Sequence, residues 1–235
     1  MMPLARHPRT TAGPPTIRRF FSHDQASAAL TARVVSDLET ALQLRGRASL
    51  AVPGGTTPGE FLTMLGFRSL DWRRIAVTLT DERWVPPDHE RSNQRLINTT
   101  LARHDRPFLW FPLWRAGVDT AAAASRVEYE SGAIAWPLDV VVLGMGDDGH
   151  VASLFPGSEA GFDDAGGHRF VAVHGPGGEP RLSLSARAIC QARHAYVLIK
   201  GARKESILKA AVDGDLPVAR IMRERRGAIE IFGSD

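Results

Sequence analysis

Residues Leu138 to His150 read "LDVVVLGMGDDGH". From Val140 the run is apolar without alternation, as a strand covered on both faces requires, and it predicts a strand of a parallel sheet. The run then stops at a glycine-rich, acidic turn. Gly144, Gly146 and Gly149 match the G-x-G-x-x-G spacing of a dinucleotide-binding turn. That fingerprint sets backbone amides and a helix N-terminus against a pyrophosphate. Asp147 and Asp148 would put two carboxylates where those phosphates belong, and the match lies past the middle of the chain. The turn is better read as catalytic. Asp148-Gly149-His150 sets an acid and an imidazole on one tight loop at a strand end, where the carboxylate can orient the ring or hold its charge. The alternative is that His150 caps a following helix and Asp148 only stabilises the loop.

On either side of this stretch, strand-like and helix-like segments alternate, with no internal repeat and no linker long enough to separate two domains. Ser22 is the expected N-cap of a long amphipathic helix carrying Leu30, Val34, Leu38 and Leu42 at helical spacing. "ASLAVPGG" reads as a short buried strand ending in a glycine turn, and "TPGEFLTML" as a helix with Pro58 near its first turn. "RIAVTLTDE" is the next expected strand, and "SNQRLINTTLARH" and "DTAAAASRVEYESGAIA" are expected helices. Beyond His150, strands are expected near "RFVAV", "RLSLS" and "HAYVLIKG", then a helix over "ARKESILKAAV" and a last strand "AIEIF". The fold class is α/β: a mostly parallel sheet with helices on both faces, forming a single domain.

Ligands of such sheets bind beyond the carboxyl ends of the strands. Three expected strands end in unusual polar or glycine-rich sequence: "GMGDDGH", "GGTTP" and "TDERW". Gly54 and Gly55, followed by Thr56 and Thr57 between a strand and a helix, can offer amides and hydroxyls to an anion. The same residues would also serve as a capped turn. No Gly-Lys pair follows, so this is not a Walker A loop. Asp81, Glu82 and Arg83 put three charges at one strand end, which is costly unless they are paired or used, and the stretch is read as part of a polar site.

Composition narrows the function classes. A chain of 235 residues with 43% hydrophobic content can bury a sizeable core, which excludes a disordered or fibrous protein. The formal charge of +3 suits a small anionic substrate as well as nucleic acid. No basic block stands out, "RERR" at Arg223 to Arg226 reads as a solvated face, and Trp84, Trp110, Trp114 and Trp136 form no spaced stacking platform. Nucleic acid is therefore not an expected partner. Cys190 is the only cysteine, which excludes an intrachain disulfide, and it reads as a small core residue in a reducing compartment. No apolar run reaches a membrane span and "MMPLARHPRTTAGPP" lacks a secretory apolar region, so a cytoplasmic protein without membrane contact is expected. Residues 1–17 are expected to be a disordered tail.

Taken in order, "LAVPGGTTP", "TLTDERWVPPDHERSN", "VLGMGDDGHVASLFPGS", "RLSLS" and "GARKESILKAAV" resemble the successive signature blocks of the 6-phosphogluconolactonases. These belong to the wider glucosamine-6-phosphate isomerase/deaminase superfamily. The resemblance implies one Rossmann-like α/β domain over residues 18–235 with no nucleotide bound. It implies hydrolysis of the sugar-phosphate lactone 6-phospho-D-glucono-1,5-lactone, the second step of the oxidative pentose phosphate pathway, without metal or organic cofactor. No obligate protein partner is expected. Residue by residue, it implies His150 as general base with Asp148 beside it, and Arg83 reaching into the pocket. Gly54, Gly55 and Thr56 fall in the phosphate-facing loop, and Arg181 and Lys204 match cations that hold the 6-phosphate. Asp81 and Gly146 stand in the same blocks and are grouped with the binding residues. Glu82 is expected mainly to pair with Arg83, and Ser183 replaces a more usual threonine while keeping a hydroxyl.

The resemblance also separates two rivals. Members that isomerise and deaminate amino-sugar phosphates carry a glutamate five residues after the histidine. Here that position is Phe155, whose ring cannot relay a proton and is expected to wall the pocket or pack beneath the loop. A non-catalytic sugar-phosphate sensor would be expected to lose its acid/base residues and to bring a DNA-binding segment. His150 and Asp148 are both present, and residues 1–17 are too short to form such a segment.

Overall fold

The computed structural model describes residues 16–104, 107–162, 166–211, 214–225 and 227–235. The chain enters through β1 (Thr16–Phe20) and α1 (His23–Arg45). Thr16 and Ile17, assigned to the tail on sequence grounds, pair with Glu230 and Ile231; residues 1–15 lie outside the described residues. Ser22 caps α1 by accepting from the Gln25 N–H. Leu30, Val34 and Leu38 are buried, as their spacing requires. Then follow β2 (Ala48–Val52), α2 (Gly59–Gly66), β3 (Ile75–Leu79), β4 (Asp81–Arg83) and α3 (Asn93–Thr99). The middle of the chain forms β5 (Leu109–Phe111), α4 (Thr120–Glu130) and β6 (Val140–Gly144). Last come β7 (Phe170–His174), β8 (Pro180–Leu184), α5 (Ala186–Gln191), β9 (His194–Lys200), α6 (Ala202–Ala211), α7 (Pro217–Glu224) and β10 (Ile229–Ser234).

Seven strands form one sheet in the order β1-β10-β9-β6-β2-β3-β5, and every neighbouring pair is parallel. The strand read first in the sequence is the middle one. Val140, Val141, Val142 and Leu143 are fully buried between β2 and β9, which accounts for their lack of polar alternation. α1 packs on β2, β6, β9 and β10, and α6 packs on β9. Since all seven strands run the same way, their carboxyl ends share one edge.

A second, antiparallel sheet in the order β4-β8-β7 corrects the sequence reading. "RIAVTLTDE" is not one strand. Thr80 is the crossing point: its N–H donates to Val52 O, while its carbonyl accepts from the Leu184 N–H in the other sheet. Beyond it, Asp81 pairs with Ser183 and Arg83 with Arg181. "RFVAV" and "RLSLS" are strands as expected, yet they belong here and not to the parallel sheet. Periodicity reports that a segment is extended; it does not name its partner.

Two shorter readings are also corrected. The expected helix over "SNQRLINTTLARH" ends at Thr99, and residues 101–104 form a 3₁₀ turn. The solvated face expected of "RERR" fails at Arg225, which is 2% exposed. Its guanidinium donates to the carbonyls of Ile189, Cys190 and Arg193, satisfying the C-terminal end of α5. Arg226 lies outside the described residues. Cys190 is half-buried, and burial together with nearby Glu224 pushes its thiol up to about 12, as suits an unreactive packing residue. No helix among the described residues is long and apolar enough to cross a membrane.

Candidate active site

The loops after β2 and β6, together with β4, β8 and the first turn of α6, enclose a cleft of about 660 Å³, part of it open to solvent. Gly54, Gly55 and Thr56 line it from the β2 loop. Asp81 and Arg83 enter from β4, Gly146 and His150 from the β6 loop, Arg181 from β8 and Lys204 from α6. Asp148 joins them through His150. The residues expected from the sequence to be catalytic or to bind substrate are thus brought to one place, although they span much of the chain.

The β6 loop is built around its histidine. Gly146 N–H donates to His150 O at 2.9 Å and Gly149 N–H to Gly146 O at 3.1 Å, with Gly149 in the left-handed region at φ 81°. A side chain on Gly146 would collide with the imidazole and lie 2.7 Å from Asp148 Oδ1. That glycine therefore makes room for the His150–Asp148 pair. No helix follows the turn, so the helix-capping alternative for His150 falls.

His150 Nδ1 lies 2.6 Å from Asp148 Oδ1, and the same oxygen accepts from the His150 backbone N–H at 3.1 Å. An ionised carboxylate only accepts, so Nδ1 carries the proton and Nε2 of the neutral ring keeps its lone pair. Partial burial works against ionisation of Asp148. The donors from His150 outweigh it, and the carboxyl sits below the usual Asp value.

β4 supplies the frame. Asp81 is almost fully buried: Oδ2 accepts from Ser153 Oγ at 2.6 Å and Oδ1 from Thr80 Oγ1 at 3.1 Å. It ties β4 to the loop that carries His150. Ser183 completes the tie by accepting from the Ser153 N–H at 3.1 Å, so the hydroxyl that replaces the more usual threonine is in use.

Glu82 does not pair with the Arg83 guanidinium, contrary to the sequence reading. Its fully buried carboxylate accepts from the backbone N–H groups of Arg83, Asn93 and Gln94 at 2.7–2.8 Å and from Ser92 Oγ at 3.0 Å. It closes the start of α3 onto β4. Burial raises its carboxyl above the usual Glu value, and the four donors offset only part of that rise.

Asn93 is a polar lining residue that sequence reasoning missed. Its Nδ2 donates to Asp81 O at 2.8 Å, and a side chain on Gly54 would collide with its carboxamide. Gly54 is thus required by a residue far along the chain. Ser92, the side-chain cap of α3, was the available signal, since it places the next residue at the mouth of a helix beside the site. Thr57 also lines the cleft, and its carbonyl lies 2.8 Å from His23 Nε2, which ties the β2 loop to α1.

Arg83, Arg181 and Lys204 bring three cations to the cleft. Arg181 Nη2 lies 2.7 Å from Glu179 Oε2, with only 12% of its side chain exposed. Arg83 Nη1 donates to Arg91 O at 2.9 Å, while its Nε is buried without a hydrogen-bond partner. A buried donor left without an acceptor is costly. The arrangement offers one imidazole base, three cations and a glycine loop to a small anion.

Comparison with known proteins agrees with this geometry. The family model described as glucosamine-6-phosphate isomerases/6-phosphogluconolactonase matches residues 22–230. The 6-phosphogluconolactonase of Rhizobium meliloti is 38% identical over 213 residues, covering 87% of this chain and 92% of that protein. The 6-phosphogluconolactonase of Caulobacter vibrioides is 35% identical over 229 residues, covering 94% and 98%. The crystal structure of a 6-phosphogluconolactonase from Shewanella baltica superimposes with a TM-score of 0.89 at 30% identity, over 96% of this chain and all of that one. The chain belongs to the glucosamine-6-phosphate isomerase/6-phosphogluconolactonase family.

Proposed function

We propose that this chain hydrolyses 6-phospho-D-glucono-1,5-lactone to 6-phospho-D-gluconate, in the cytoplasm, as part of sugar-phosphate metabolism. The observation that carries the reading is the His150–Asp148 pair in the same cleft as Arg181 and Lys204. Arg181, Lys204 and the amides of the 53–58 loop hold the 6-phosphate, since a dianion needs fixed cations and aligned donors. His150 Nε2 takes a proton from water as the water oxygen attacks C1. Asp148 holds the imidazolium that forms. The tetrahedral oxyanion needs a donor, and the Arg83 side chain, which lines the cleft, is the group we assign to it. As the C1–O5 bond breaks, His150 returns its proton to O5, leaving a hydroxyl there and a carboxyl group at C1. A δ-lactone is an activated ester, so a base contributing about 10²- to 10⁴-fold is a large share of the acceleration required.

Phe155 argues against the family's isomerising branch. Its ring stands 4.8 Å from the His150 ring, where ring opening by an isomerase would call for an ionisable group. The reading is tested by following hydrolysis of freshly generated lactone through a coupled 6-phosphogluconate dehydrogenase, corrected for spontaneous opening. Wild-type protein should accelerate opening, and His150→Ala should lose at least about a hundredfold in kcat while melting at the same temperature. Folded wild-type protein that opens the lactone no faster than solvent would overturn the reading.

A further inference from the structure

Phe155 has both ends of the site against its ring. The His150 imidazole lies 4.8 Å away, centroid to centroid, at an interplanar angle of 46°. The Arg181 guanidinium carbon lies over the same ring at 5.3 Å. Each of these groups pairs with a carboxylate: Asp148 lies 2.6 Å from His150, and Glu179, which also pairs with Arg91, lies 2.7 Å from Arg181. Each also has a glycine that clears space for it. A side chain on Gly146 would collide with the imidazole, and one on Gly175 would lie 2.6 Å from Arg181 Nε. His150 comes from the β6 loop and Arg181 from the other sheet, so neither element alone determines how far apart they stand.

We propose that Phe155 is a positioning residue that couples the two ends of the site, setting the separation between the phosphate-binding Arg181 and the base His150. The roles of those two groups rest on the lactonase reading. The face of an aromatic ring attracts a cation, which steadies Arg181, and ring-to-ring contact limits rotation of the imidazole. An aliphatic side chain would fill the same space and do neither. The separation so held makes turnover depend on a substrate whose phosphate and ester carbon lie at a matching distance. A lactone without the phosphate gains nothing from it.

The test uses the full chain with Phe155→Leu, checked by thermal unfolding against wild type. Should leucine fail to fold, Phe155→Met takes its place, since methionine fills irregular gaps without a ring. Two readouts need no turnover: affinity for inorganic phosphate, and the nitrogen resonances of the His150 ring in ligand-free protein. The folded variant should bind phosphate at least about threefold more weakly, and the His150 resonances should also move. A folded variant in which either readout stays at its wild-type value overturns the coupling. Kinetically, kcat/KM on the phosphorylated lactone should fall by about tenfold or more, with a smaller loss on unphosphorylated glucono-1,5-lactone. Equal fractional losses on both lactones would overturn it as well. Wild-type protein inactive on both lactones would remove the lactonase reading alone, and the phosphate and imidazole readouts would then decide.

Discussion

Two glycine-bearing loops end neighbouring strands of the same sheet; Gly54 of the first, like Gly146 of the second, makes room for a side chain, whereas Gly55 has a different reason to be glycine. In the 53–58 loop, Gly55 takes φ 90° with nothing within 4 Å of the place a side chain would occupy. It leaves the backbone open for an anion to approach. In the 145–151 loop, Gly146 lies so close to His150 that a side chain would collide with the ring, and Gly149 lies 2.8 Å from Leu216 on the same measure. These glycines serve close packing, one against the imidazole and one against Leu216. The difference teaches that glycine spacing by itself does not identify a phosphate turn. The dinucleotide fingerprint in "GMGDDGH" is met by residues that hold an imidazole against a carboxylate.

The comparison can be broken most directly at Gly146. Gly146→Ala should push the imidazole away from its working position and lower kcat by about a hundredfold, with KM little changed, because misplacing a catalytic group by about 1 Å has that scale of effect. Steady-state kinetics on folded protein would check it, and an unchanged kcat would mean that the loop yields without moving His150.

The phosphate side should respond in the other parameter. Arg181→Ala is expected to raise KM by about ten- to a hundredfold while kcat holds, the cost of removing a charge-assisted hydrogen bond. A fall in kcat at constant KM would instead place Arg181 with the chemistry.

The Asp148–His150 contact sharpens the comparison through pH. The folded-state value of Asp148 is depressed, so its contribution is fully present above the unfolded value of about 3.9 and is lost as pH falls through the lower folded value. The contact therefore persists across the neutral range. Asp148→Asn should lower kcat by about tenfold or more at every pH tested above that window, and a variant that matched wild type at neutral pH would dismiss the carboxylate from the mechanism.

Gly55→Ala should have the smallest effect on kcat and should raise KM, because its methyl group would stand where the anion approaches. With φ positive and no neighbour to strike, the expected loss is about 1 kcal/mol of stability, read as a small drop in melting temperature.

How much of this was legible in the sequence follows the same division between local and distant causes. The buried run Val140–Leu143, the cap at Ser22 and the buried stripe of α1 depend on residues within a few positions of one another, and the chain forms them where periodicity places them. The short strands β1 and β5 and the six-residue helix α5 carry too little repeated pattern to stand out, and the two strands form by pairing with β10 and β3 at the edges of the sheet. Glu82 could be recognised as a charge needing a partner. That its partners are the backbone at the start of α3, and not the adjacent arginine, depends on where α3 returns to β4.

The fold class, the buried strand Val140–Gly144 and the polar strand ends around the site were legible in local sequence, because hydrophobic period, capping and backbone sterics act over short stretches of chain. Only the tertiary structure decided that Asp81–Arg83 leaves the parallel sheet to pair with β8, that Asn93 makes Gly54 necessary, that Arg225 is buried and that Phe155 meets both His150 and Arg181. These are contacts between residues distant in sequence. They are chosen by which buried donors, acceptors and apolar surfaces can be satisfied together once the elements have packed.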